Sequence, residues 1–214
     1  SKGKPFPLGS SLTSQGVNFS LVATNAEYVE ILLFEKEGSI SPKSILKLDQ
    51  NHNTGPYWHA EVKNLNEGCI YAFRVKQKNN AINNNYEKKV LLDPCSRGIT
   101  GWGSYKRENA LKTQENTNSC LKSVVCDRKL FNFKDFPRPK HSWEETIIYE
   151  LHIKSFTEST DKSESCFKKF LKKIPYLKEL GITSIELLPI FSFDPTDAPN
   201  GLENFWGYSP INWF

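Results

Sequence analysis

The sequence predicts an antiparallel β-sandwich followed by the opening strand–helix–strand of a parallel α/β fold that the chain does not complete. Three observations carry this prediction. Up to about Pro94 the chain is a series of short strand-like runs, each bounded by Gly, Asn, Asp or Pro. At 134–145, "KDFPRPKHSWEE" gathers two prolines and six charged residues, the composition of a boundary. Beyond it, apolar residues recur at helical spacing between two dense apolar runs.

In chain order, "GVNFSLVA" alternates Val17, Phe19 and Leu21 against Asn18 and Ser20, the pattern of a strand with one apolar and one polar face. "YVEILLFEK", "SILKLDQ", "YWHAEVKN" and "CIYAFRVKQ" follow as further strands, with turn formers between them. "KNNAINNNYEKK" reads as a flexible hairpin loop inserted between two strands. From Cys95 to Phe133 the pattern is weak and rich in turn formers, which suits a surface wrap. "TIIYELHIKSFT" lacks clean alternation and predicts a strand buried on both faces of a parallel sheet. Phe167, Leu171, Ile174, Leu177 and Leu180 then mark a helix, with Gly181 where a C-cap belongs and Pro175 set to kink or restart it. "SIELLPIF" is the second buried strand, so the segment is a βαβ unit with an expected right-handed crossover. One such unit leaves most of its apolar surface bare and predicts a larger fold.

Composition narrows the function. At 214 residues, 38% hydrophobic and 13% aromatic, the chain can bury a real core. Its charge of +4 is spread in mixed sign, which argues against nucleic acid as a partner. The start has no apolar signal region and no run approaches spanning length, so no membrane is expected. The cysteines at 69, 95, 120, 126 and 166 form no CxxC pair, and reduced thiols in a cytoplasmic setting fit best. No Gly-rich phosphate loop, metal-ligand spacing or Ser/Cys nucleophile motif is present, and no cofactor or metal is expected.

Ligands of parallel α/β folds bind at the C-terminal ends of strands, here "KSFT" and the long stretch from Pro189 onward. That stretch ends on "NFWGYSPINWF", whose flat aromatic faces suit the CH faces of sugar rings or, equally, packing beneath further structure. Asp194 and Asp197 lie in a Pro- and Gly-rich turn, where Asp caps backbone amides. Glu150, His152 and Lys154 share one face of the first strand and, if buried, must form a polar network or approach the open end of the fold. No pair has the credentials of a nucleophile and a general acid.

At these residues the sequence resembles a known family. "PFPLGSSLTSQGVNFSLVATNAEYVEILLFE", "LLDPCSRGITG", "WEETIIYELHIKSFT", "IPYLKELGITSIELLPIFSFD" and "NFWGYSPINWF" occur in the order found at the front of isoamylase-type glycogen and starch debranching enzymes of the α-amylase superfamily. The resemblance covers nearly the whole chain. It implies an immunoglobulin-like, early-set sandwich of the glycogen-binding-module type over 1–133, a linker over 134–145, and over 146–214 the first two strands and first helix of an incomplete (β/α)8 TIM barrel. It also implies retaining hydrolysis of α-1,6 branch points in glycogen, starch or limit dextrin by an Asp nucleophile, a Glu acid/base and a stabilising Asp. In the family those carboxylates lie on later barrel strands, so the expected catalytic residues in this chain are none.

In the family the Tyr of the Trp-Gly-Tyr segment stacks on glucose at the cleavage subsite. The matching residue is Tyr208, with Trp206 and Asn204 beside it. Phe205 stands where Tyr is common and Ser155 where Gly is common. Trp58 and Trp102 are candidate glucan contacts on the sandwich. Three other readings stay open: a non-catalytic glucan-binding or regulatory module, the front of a branching enzyme, and a protein-interaction module.

Overall fold

A computed structural model describes residues 1–78, 87–127, 132, 136–158 and 163–213. Most of the Asn-rich insertion and the expected sandwich limit at Phe133 lie outside the described residues. The chain divides into two compact units, Ser1–Phe131 with Asn212–Phe214, and Asn132–Ile211.

The first unit is a sandwich. Strands β1 (Gly9–Leu12), β2 (Gly16–Val22), β5 (Asn53–Thr54) and β6 (Tyr57–Lys63) make a four-stranded antiparallel sheet in the order β1-β2-β6-β5. Strands β3 (Ala26–Phe34), β4 (Ser44–Leu48), β7 (Ile70–Gln77), β8 (Gly98–Thr100) and β9 (Lys122–Val124) make a five-stranded one, β4-β3-β7-β9-β8. Register explains the core. Val17, Phe19 and Leu21 sit opposite Val62, Ala60 and Trp58, so all six share the inner face of the first sheet. Val29 and Ile31 sit opposite Leu48 and Leu46 on one side and Val75 and Phe73 on the other, giving the inner face of the second. Between them Tyr71 meets Phe19 and Phe73 edge-on, with ring centroids 4.8 and 5.8 Å apart.

Two features depart from the sequence reading. Asn18 and Ser20, expected on a solvent face, are buried. The N-terminal segment lies over them: Lys4 N donates to Asn18 Oδ1 (2.7 Å), Asn18 Nδ2 to Lys4 O (3.0 Å) and Ser20 Oγ to Pro5 O (2.6 Å). His59, on the neighbouring strand, holds the same segment through Nδ1 and Lys2 O at 2.7 Å. Asn18→Ala removes two of these part-buried bonds, each worth about 0.5–1.5 kcal/mol, so we expect a loss of about 1–3 kcal/mol in equilibrium urea unfolding.

The second departure is that the weak stretch after Cys95 is structural as well as superficial. It supplies β8 and β9 and covers the outer face of the five-stranded sheet, where Val90 and Cys120 pack on Leu32, Phe34 and Ala72. Two buried lysines serve this cover. Lys122 Nζ donates to Thr117 O (3.1 Å) and lies 5.0 Å over the Phe34 ring. Lys89 Nζ donates to the carbonyls of Asn109, Ala110 and Lys112, closing the end of the short helix α1 (Arg107–Leu111).

The second unit contains β10 (Ile148–Leu151), α2 (Ile153–Phe156), α3 (Cys166–Leu171), α4 (Ile174–Glu179) and β11 (Ser184–Leu187). β10 and β11 pair in parallel, Ile148 with Ser184 through Leu151 with Leu187. Pro175 restarts the helix at its first turn, and Gly181 follows α4 at φ 87°. Leu151, Ile153, Phe170 and Leu177 are buried together.

Two expectations are corrected here. The first strand ends at Leu151, and Ile153–Phe156 form a helical turn closed by Thr157 Oγ1 donating to Ile153 O at 2.7 Å. His152 and Lys154 therefore do not share a strand face with Glu150. The strands are also not buried on both faces: all four residues of β11 are exposed, as are Ile148 and Glu150. Glu150 sits opposite Glu186 in register, with solvent to satisfy both.

Candidate functional site

The loop after β11 is shaped by its own polar groups. Asp194, fully buried, accepts from Thr196 N (2.8 Å) and Thr196 Oγ1 (2.7 Å), which makes it the turn-forming Asp the sequence suggests. Asn204 N donates to Pro195 O (2.9 Å) and Ile211 N to Ser192 O (2.8 Å), so the stretch folds back on itself as a closed loop. At its tip Asn204 Oδ1 accepts from Gly207 N (3.2 Å) and Asn204 Nδ2 donates to Tyr208 O (2.5 Å). Asn204 thus braces the Trp-Gly-Tyr turn from within. Gly207 has φ 79°, and a Cβ there would meet the Phe193 ring at 3.1 Å, so both backbone angle and space call for glycine.

With this brace in place Trp206 and Tyr208 are more than half exposed, at 52% and 56%. Phe205 and Trp206 meet edge-on at 5.3 Å. His152, at the start of α2, contacts both rings, 5.0 Å from Phe205 and 5.4 Å from Trp206. Lys154 Nζ lies 5.1 Å over the Phe205 ring. Partial burial, and then the Lys154 charge, hold the His152 imidazole below its ordinary pKa. Beside this cluster an apolar cavity of about 190 Å³ is lined by residues that include Ile153, Phe167, Ile190 and Phe193.

The structure therefore brings Asn204, Trp206 and Tyr208 together, and adds His152, Lys154 and Phe205, whose roles sequence reasoning missed. The available signal was the tight His-x-Lys-Ser spacing directly after a strand. The two sandwich tryptophans part company. Trp58 is a core residue, 2% exposed, with Nε1 donating to Ala23 O at 3.1 Å, so its ring faces protein rather than solvent. Trp102 is 38% exposed and packs edge-on against Tyr105 at 5.8 Å.

Chemically, the loop presents aromatic faces and amide groups. Among the described residues no group of three or more His, Cys, Asp or Glu is placed to hold a metal. Burial raises the pKa of the Cys69, Cys120 and Cys126 thiols, which makes them poor nucleophiles. No helix of the described residues is long and apolar enough to cross a membrane.

Residues 7–96 match the family described as Carbohydrate-binding module 48 (Isoamylase N-terminal domain). Among solved structures, the chain is similar to the catalytic module of the multi-modular glycogen-degrading pneumococcal virulence factor SpuA, with TM-score 0.72 and 20% identity over 99% of this chain and 32% of that one. It is also similar to a pullulanase from Paenibacillus barengoltzii in complex with maltohexaose and α-cyclodextrin, with TM-score 0.70 and 20% identity over 98% of this chain and 32% of that one. A third is the Group B Streptococcus pullulanase SAP in complex with maltotetraose, with TM-score 0.67 and 21% identity over 87% of this chain and 24% of that one. At these identities the likeness establishes the fold alone, and the family match is confined to residues 7–96. The chain spans about a quarter to a third of the length of these structures.

Proposed function

We propose that this chain is the front of an isoamylase-type debranching glycoside hydrolase of the α-amylase superfamily, acting on α-1,6 branch points of glycogen, starch or limit dextrin by a retaining mechanism. Residues 1–133 are the sandwich, 134–145 the linker, and 146–214 the first two strands and first helix of a (β/α)8 barrel. The catalytic carboxylates belong to later barrel strands, and this chain alone is inactive. The reduced cysteines suit a cytoplasmic protein.

One observation carries the reading: Trp206 and Tyr208 are held open to solvent by the Asn204 brace, on the loop that follows the second of two parallel strands. Exposed rings held in place are suited to stacking on sugar faces, and the Asn204 side chain fixes the geometry. Exposed Ile148, Ile185 and Leu187 on the paired strands support further barrel strands as their cover.

A second reading rests on Trp102, whose exposed ring suits a non-catalytic glucan contact on the sandwich. Titration of maltohexaose into the full chain, followed by calorimetry, separates the two. Tyr208→Ala should weaken binding roughly fivefold, the order expected for one aromatic contact, with Trp102→Ala unchanged. Loss of binding in Trp102→Ala alone would instead favour the module. Unchanged binding in Tyr208→Ala and Trp206→Ala would remove the platform.

A further inference from the structure

Groups outside the loop act on it. Three contacts converge on the Phe205–Trp206 pair from the turn that ends β10. His152 touches both rings and Lys154 lies over Phe205; separately, His152 Nδ1 and Ser155 Oγ are 2.9 Å apart, in hydrogen-bond contact. The Ser155 contact matters because a histidine ring otherwise rotates about its Cβ bond. Tied at Nδ1, the imidazole is held against rotation, and the Phe205 and Trp206 rings pack on it.

We infer that His152 is a positioning residue for the aromatic platform, fixing the orientation of Phe205 and Trp206 from the opposite end of the unit's sequence. The inference deepens the glucan reading and rests on it for its ligand. An exposed loop indole otherwise samples several rotamers, and a sugar selecting one of them binds more weakly by the fraction populated. His152 removes that loss by holding Trp206 before the sugar arrives.

The charge environment makes the contact visible. Lys154 is the charged group acting on His152 from its own turn, and the facing loop presents the uncharged rings of Phe205 and Trp206. Partial burial, and then the neighbouring Lys154 charge, lower the pKa of the imidazole from its ordinary value. Its protonation should therefore shift the Trp206 resonance in mildly acidic solution, and leave it unchanged near neutrality.

The test uses the full chain labelled with 5-fluorotryptophan, in which the Trp206 fluorine signal is assigned by its loss in Trp206→Phe. In the wild type this signal should move with a single midpoint below about pH 6.5. His152→Phe keeps a ring at the contact but has neither a titrating group nor a nitrogen to bond Ser155, so the pH response should be gone. His152→Ala removes the contact, so the Trp206 line should broaden and maltohexaose affinity should fall roughly fivefold, while the other tryptophan signals hold their positions and report an intact fold. A Trp206 signal indifferent both to pH and to His152→Ala would overturn the inference. Should the wild type show no maltohexaose binding, the glucan reading falls, and the fluorine titration still decides whether His152 positions the ring.

Discussion

Tyr71→Phe should be less stable than the wild type by about 1–3 kcal/mol at neutral pH, and this deficit should shrink by about 2.7 kcal/mol by pH 12, enough to close or reverse it. Tyr71 lies at the centre of the sandwich, fully buried, and its hydroxyl donates to Asp93 Oδ2 at 2.6 Å. Asp93 is itself fully buried and is held in place from the backbone: its Oδ1 accepts from Cys95 N (2.8 Å), and its own N donates to Ser123 Oγ (3.0 Å). Removing the phenol hydroxyl leaves a carboxylate oxygen in the interior with one donor fewer, which sets the neutral-pH loss. The alkaline limb follows from linkage. Burial first, and then the Asp93 charge, hold the Tyr71 hydroxyl far above its ordinary pKa of 10.0. Above pH 10 the unfolded chain therefore releases a proton that the folded chain keeps, and folded stability falls by about 1.4 kcal/mol per pH unit. Phenylalanine has no proton to release, so the variant escapes this slope, while lysine titration acts on both proteins and cancels in the difference. Urea unfolding at pH 7, 10, 11 and 12 checks it. Parallel curves for the two proteins would mean that Tyr71 ionises freely, and that the Asp93 network is open to water.

What the sequence revealed, and what it hid, divides along the reach of the forces involved. Strands β2, β3, β6 and β7 are legible because each is long enough for a two-residue period, and their registers follow from placing Val17, Phe19, Ile31 and Phe73 on one side. β8 and β9 have three residues each and show no period at all; their place is set by pairing partners, Val124 with Gly98 and with Ile70, that no local pattern announces. Asn18 and Ser20 look like solvent-facing positions because their partners lie in the N-terminal segment. His152 misled for a different reason. Its neighbours Ile153 and Phe156 have strand-like character, yet a single helical turn brings Ile153 into the core and frees the His152 ring for the loop. The Trp206–Tyr208 turn was legible as a candidate through its residue types, whereas its Asn204 brace and its docking on His152 are contacts between side chains that only the folded chain displays.

Leu177→Ala should abolish cooperative folding of the second unit while leaving the sandwich intact. This unit buries little. Leu151, Ile153, Phe170 and Leu177 form its core, with Leu177 2% exposed, whereas Ile148, Ile185, Leu187 and Leu180 are exposed. Truncating a buried leucine costs about 3–5 kcal/mol, from lost transfer energy and the cavity left behind. A domain with a full core has roughly 5–15 kcal/mol in total, and a unit that leaves Ile148, Ile185 and Leu187 exposed sits at the lower end. The loss is therefore comparable with the whole stability of the unit. Amide exchange shows this by location: protection through Tyr149–Leu151 and Ser184–Leu187, the parallel pair, should fall about a thousandfold, while Val17–Leu21 and Tyr71–Val75 keep theirs. Leu180→Ala, at a solvent-facing position of the same helical stretch, should shift stability by no more than about 0.5 kcal/mol. Protection surviving in Leu177→Ala would mean that the exposed strand faces contribute more than the four buried side chains do, and that the unit is held by contacts across its open sheet.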